Sequence, residues 1–276
     1  MNLKAKPPSW KRGCLLITKI KIMNQKKKPS FRRRGIYLLP NIFTTGAMFA
    51  GFYAIVASMN GHFEKAAIAI FIAMILDGVD GRVARMTNTQ SEFGAEYDSL
   101  SDMVSFGVAP ALVMYQWSFV SMVDMGWQWG KLGWMAAFIY TASAALRLAR
   151  FNTQVGIADK RYFQGLPSPA AAAVIAAVVW VGVDNKIAGF DVAIFMVIIT
   201  IAMGMMMVSN ILFYSFKEVH FKGKVPFYSI LIVVLVVALA SLDISKSLLL
   251  VFGLYALSGP VLSLRKLRKF AKKKSS

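Results

Sequence analysis

Four aspartates stand in the stretch DGVDGRVARMTNTQSEFGAEYDSLSD, residues 77–102, between the apolar runs AAIAIFIAMIL and MVSFGVAPALVMYQWSF. Carboxylates at or near membrane depth are costly and call for partners. On a helix, Asp77, Asp80, Gly81, Ala84 and Arg85 fall at i, i+3, i+4, i+7 and i+8 and share one face. Gly94, Asp98 and Asp102 fall at i, i+4 and i+8 of the next helix. The short polar turn MTNTQSEF makes these helices antiparallel neighbours, so the two acidic faces can meet. Facing carboxylates repel, and a hard divalent cation that prefers oxygen ligands, Mg²⁺ or Mn²⁺, removes the conflict. Four acids with almost no nitrogen or sulfur ligand nearby suit one or two such ions, and a pair of ions would clamp phosphoryl oxygens during a displacement. Gly81 and Gly94 leave room for a large ligand against the backbone. Arg85 offers a planar cationic fork that suits phosphate. Ion pairing with Arg82 and Arg85 would account for two of the acids at most. A proton or cation relay in a transporter also uses intramembrane acids, but the later helices are nearly all apolar and carry no second acidic layer.

The elements that must hold these acids are membrane helices. The chain of 276 residues is 57% hydrophobic and 16% charged, with mean hydropathy +0.55, far from soluble usage. Apolar runs long enough to span a bilayer predict an all-α polytopic membrane helix bundle of eight helices. Their approximate spans are 36–59, 66–86, 99–122, 132–151, 168–184, 190–214, 226–242 and 245–264. A net charge of +19 invites a nucleic-acid reading, but 12 of the 32 Lys and Arg precede Gly35 and 7 follow Leu264. These are basic tails beside apolar segments, as the positive-inside rule expects, and nucleic acid is set aside as a partner. Loop and helix-end cations (Lys160, Arg161, Lys217, Lys222, Lys224, Arg82, Arg85, Arg147 and Arg150) fall on the same side, with only Lys65, Lys131, Lys186 and Lys246 opposite. Both termini and the acidic site are therefore expected on the cytoplasmic face of a multi-pass protein of the cell membrane. Trp127, Trp129 and Trp134 anchor the far interface. The single cysteine, Cys14, excludes an intrachain disulfide, and His62 and His220 have no partners at metal-ligand spacing. The apolar stretch CLLI is too short for a cleavable signal, and Met23 opens a second basic start, so residues 1–22 are expected to be dispensable.

The residues Asp77-Gly-Val-Asp80-Gly81-Arg-Val-Ala84-Arg85, eight further residues, then Gly94-Ala-Glu-Tyr-Asp98-Ser-Leu-Ser-Asp102 resemble the signature of the CDP-alcohol phosphatidyltransferase family at every fixed position. Upstream, Pro40-Asn41-Ile-Phe-Thr44 is similar to the family's first-helix element. The resemblance implies transfer of a phosphatidyl group from CDP-diacylglycerol to an alcohol hydroxyl, with release of CMP. It further implies that Asp77, Asp80, Asp98 and Asp102 hold two divalent ions, with Asp102 also the general base. Asn41, Thr44, Gly81, Ala84, Arg85, Ser91 and Gly94 would line the nucleotide lipid. The organisation it implies is a basic leader (1–34), a six-helix catalytic core (35–215), two additional helices (216–264) and a basic tail (265–276), assembled as a homodimer among membrane lipids.

Two further stretches bear on the alcohol. Arg147-Leu-Ala-Arg150-Phe-Asn152 and Phe163-Gln-Gly165-Leu-Pro167-Ser168-Pro-Ala170 resemble the membrane-type bacterial and archaeal members of the family that use L-serine. Arg147 or Arg150 could bind a serine carboxylate or the diphosphate, while Gly165 and Ser168 sit in a turn able to offer backbone amides and a hydroxyl. The same arginines would serve as simple cytoplasmic anchors, and glycerol 3-phosphate or an inositol phosphate would also welcome two arginines. The rival in another class is a cation-coupled transporter.

Overall fold

The computed structural model describes residues 31–87, 89, 91–154, 162–214 and 243–274. The chain divides into two units, residues 1–38 and 39–276, and of the first only residues 31–38 are described, as helix. The described helices are α1 (Phe31–Met59), α2 (Phe63–Met86), α3 (Glu92–Met125), α4 (Trp127–Gln154), α5 (Ser168–Asp184), α6 (Ala193–Val208) and α7 (Ile244–Lys274). One short antiparallel pair, β1 (Tyr162–Gln164) with β2 (Leu212–Tyr214), sets Phe163 opposite Phe213. The protein is an all-α membrane helix bundle, and among the described residues four helices are long and apolar enough to cross a membrane. The expected helix at 226–242 lies outside the described residues. So do Cys14, Met23, Lys160, Arg161, Lys217, His220, Lys222 and Lys224.

α5 is the centre. Its sequence SPAAAAVIAAVVWVGVD is apolar all round, which marks a buried helix, and Ala170 to Ala177 are all buried. Small side chains let its neighbours come close, the usual basis of helix association in lipid. α2, whose Ala66, Ala69 and Ala73 are buried, packs on it and sets Phe71 against Trp180, and α7 packs on it as well. At its far end a Cβ on Gly182 would enter the Trp117 indole.

α3 is not a plain α-helix. Its turns widen to π geometry at Met103–Val108 and again at Tyr115–Phe119, then tighten to 3₁₀ at Val120–Met125. Pro110 has no N–H to give the carbonyl of Phe106 four residues back. The buried Tyr140 hydroxyl donates to that oxygen at 3.2 Å, which ties α3 to α4. Several helices run longer than their expected spans, at the starts of α1 and α4 and at the end of α7, and two further boundaries are corrected with a local cause. α3 begins at Glu92 rather than 99, because Ser91 caps it. The sixth helix ends at Val208 rather than 214, because Ser209 turns extended and the chain pairs with β1.

Candidate active site

The site is built where α1, α2 and α3 meet. Ser101 and Ser105, one turn apart on α3, each donate a hydroxyl to an α1 carbonyl, Thr44 O and Ala47 O, both at 3.0 Å. Gly51 makes this approach possible, since a Cβ there would overlap Ser105. Thr44 in turn donates to Asp80 Oδ2 at 2.7 Å, linking α1 to α2. Thr45 shares a 2.8 Å hydrogen bond with the Tyr97 hydroxyl. Ser91 accepts from the Gly94 N–H at 3.0 Å, a helix cap of ordinary kind worth about 1 kcal/mol. Gly94 itself sits beneath Ser91 and near Asn41, so a side chain there would crowd Ser91. Backbone and hydroxyl contacts thus fix the angle at which the acidic helices face one another.

Asp77, Asp98 and Asp102 each bring a carboxylate oxygen within 4.8 Å of the others. At that range bare carboxylates repel one another, and a proton or a cation between them relieves the conflict. Asp98 Oδ1 is buried with no hydrogen-bond partner, and a buried orphaned acceptor costs about 1–3 kcal/mol or more when charged. The three acids fit a divalent metal ion, which would supply the missing partner. Asp80 stands apart from this trio: it is 4% exposed and holds Thr44, yet lies close enough to repel Asp77 and Asp98. Gly81 is exposed and a Cβ on it would meet nothing within 4 Å. A helix-interior glycine costs about 0.5–1 kcal/mol against alanine, so packing within the chain does not account for it. Gly78 is equally bare, and on the helix it flanks Gly81 and Arg85. Ala84 is half-buried, and Arg85 is exposed with its Nε donating to Gly81 O at 2.8 Å.

The second cluster behaves differently. Arg147 donates to the Ser168 hydroxyl, which is fully buried, and lies within electrostatic reach of Asp102 and Asp77. Arg150 instead donates to Gln164 Oε1 at 2.5 Å, Asn210 Oδ1 at 2.7 Å and Val208 O at 3.4 Å, tying the end of α4 to β1 and the end of α6. The turn amides expected to meet a substrate are taken: Gly165 N donates to Ile211 O at 2.8 Å and Leu166 N to Met206 O at 2.9 Å. Gly165 has φ +81°, and a Cβ on it would enter the Met207 carbonyl.

Sequence reasoning missed Ser101, Ser105, Tyr140 and the Ser99–Asn152 pair, in which the Asn152 amide donates to the Ser99 hydroxyl at 2.9 Å. The Ser101/Ser105 spacing of four was a visible signal, being a small-residue seam of the kind that joins membrane helices.

Residues 37–206 match the family described as CDP-alcohol phosphatidyltransferase. The chain is 38% identical over 225 residues to a CDP-diacylglycerol–serine O-phosphatidyltransferase of Helicobacter pylori, covering 79% of this chain and 90% of that protein. A protein of the same name from Methanocaldococcus jannaschii is 36% identical over 196 residues, covering 71% and 83%. One from Mycobacterium tuberculosis is 45% identical over 149 residues, about half of each chain.

Proposed function

The chain belongs to the CDP-alcohol phosphatidyltransferase family, and on that premise we propose that it moves the phosphatidyl group of CDP-diacylglycerol to L-serine, giving phosphatidylserine and CMP. The observation that carries this reading is the convergence of Asp77, Asp98 and Asp102 from two helices, with one Asp98 oxygen still unpartnered. A bound Mg²⁺ or Mn²⁺ pair would supply electrostatic stabilisation of the charge that develops on the phosphoryl oxygens. Asp77, Asp98 and Asp102 would hold it, with Asp80 completing the set from its place against Thr44. Asp102 accepts the proton of the incoming serine hydroxyl as it attacks the phosphorus nearer the diacylglycerol. The bare backbone at Gly81, flanked by Asn41, Thr44, Ala84, Arg85, Ser91 and Gly94, takes the cytidine diphosphate portion.

Serine is favoured as acceptor by the names of the relatives and by Arg147, a cation within electrostatic reach of Asp102 that could meet a serine carboxylate. The catalytic core is 35–215, with both termini and the site facing the cytoplasm and the enzyme a homodimer in the cell membrane. Family membership displaces the transporter reading. The test is CMP release by purified protein given CDP-diacylglycerol with serine, glycerol 3-phosphate or an inositol phosphate in turn. Serine-dependent release is expected, release only with a phosphorylated alcohol would overturn the acceptor, and release with none would overturn the transferase reading.

A further inference from the structure

Contacts between α3 and α4 set the height of Arg147. Tyr140 donates to Phe106 O at 3.2 Å, a Cβ on Gly107 would lie 3.2 Å from that of Ala144, and the Asn152 amide reaches the Ser99 hydroxyl at 2.9 Å. The helices run antiparallel, so Arg147 falls between the last two contacts on α4 as Asp102 does on α3. Tyr140, Ala144 and Arg147 stand at i, i+4 and i+7, which puts Arg147 on the α4 face that meets α3. Its cation is therefore at the level of the acids, in agreement with its electrostatic reach to Asp102. Helix geometry fixes that height but not where the guanidinium points, because the arginine stem has several rotatable bonds.

Ser168 removes that freedom. It is the first residue of α5, fully buried, and its hydroxyl accepts a hydrogen bond from Arg147 Nη1. The backbone leading to it is clamped to the chain at the end of α6, Gly165 N donating to Ile211 O at 2.8 Å and Leu166 N to Met206 O at 2.9 Å. Pro167, its φ fixed by the ring, then delivers the chain into α5. The serine hydroxyl thus hangs from a held turn by a single side-chain torsion. Having no exposed surface, Ser168 acts on a ligand only through the guanidinium it receives.

We infer that Ser168 is a positioning residue for the transfer reaction, holding the Arg147 guanidinium in the orientation that receives the carboxylate of the incoming serine. The inference rests on the transferase reading above and gives Ser168 a role behind the substrate rather than against it. The experiment follows serine-dependent CMP release by the full chain reconstituted in lipid. Ser168→Ala is expected to raise KM for serine about tenfold, as loss of a hydrogen bond to a charged group does. Its kcat and its KM for CDP-diacylglycerol should stay within about twofold of wild type. Ser168→Cys, close in size but a poor acceptor, is expected to do the same, so a poorly folding alanine variant does not stop the test. Arg147→Lys is itself expected to raise KM for serine, and adding Ser168→Ala to it should cost less than about twofold more, because both act on one guanidinium. The inference would be overturned by an unchanged KM for serine in the folded Ser168 variants or in Arg147→Lys. A loss shared equally by both substrates, or the full tenfold loss again in the lysine background, would overturn it too. A wild-type protein that releases no CMP with serine would instead overturn the reading on which it rests.

Discussion

The acidic cleft between α2 and α3 and the turn at 163–168 look alike as sequence: each joins side chains able to do chemistry, with glycine and polar residues, to a helix end. The structure separates them. In the cleft, valences are left over, with Asp98 Oδ1 lacking a partner and Gly81 facing open space. At the turn, the valences are used within the protein, with Arg150 holding Gln164, Asn210 and Val208, and Gly165 holding Ile211. A ligand-directed site and a self-directed one are told apart by where their hydrogen bonds end.

Substitutions can break or sharpen that contrast. The largest effect is expected from Asp102→Asn, a near-isosteric change that removes the proton acceptor: turnover should fall about a thousandfold or more, with thermal unfolding unchanged. Near-normal turnover would remove Asp102 as the base. The next largest is a reversal between two glycines. Gly165→Ala should destabilise the protein by at least about 2 kcal/mol, through its positive φ and the Met207 carbonyl. Gly81→Ala should leave stability intact while raising KM for CDP-diacylglycerol about tenfold, as a methyl enters the ligand's space. Equal effects of the two on melting would erase the distinction. Arg150→Gln should cost about 1–3 kcal/mol of stability and leave KM for serine within about twofold; a selective rise in that KM would return Arg150 to the substrate. Smallest of all in stability, Ser91→Ala should cost about 1 kcal/mol by uncapping α3, read as a lower unfolding midpoint.

The acids were legible in the sequence because helical periodicity is local: spacings of three and four place them on one face whatever the rest of the chain does. The start of α3 was less so, since the apolar run alone opens the membrane span at 99 and only the Ser91 cap sets the helix start at Glu92. The fate of the turn amides was hidden, because their acceptors, Met206 O and Ile211 O, arrive from 40 or more residues away, roughly, through the end of α6. Asp80 shows a similar limit: its spacing groups it with the other three, but its bond to Thr44 depends on how α1 crosses α2.

The central claim is that Asp77, Asp98 and Asp102 form a site for a divalent ion, and direct binding tests it apart from turnover. Metal-stripped protein in lipid would be titrated with Mn²⁺ and followed by electron paramagnetic resonance, comparing wild type with Asp98→Asn. Saturable binding weakened at least about tenfold in the variant is the predicted result. Equal affinity in the two proteins, or no saturable binding by wild type, would contradict it.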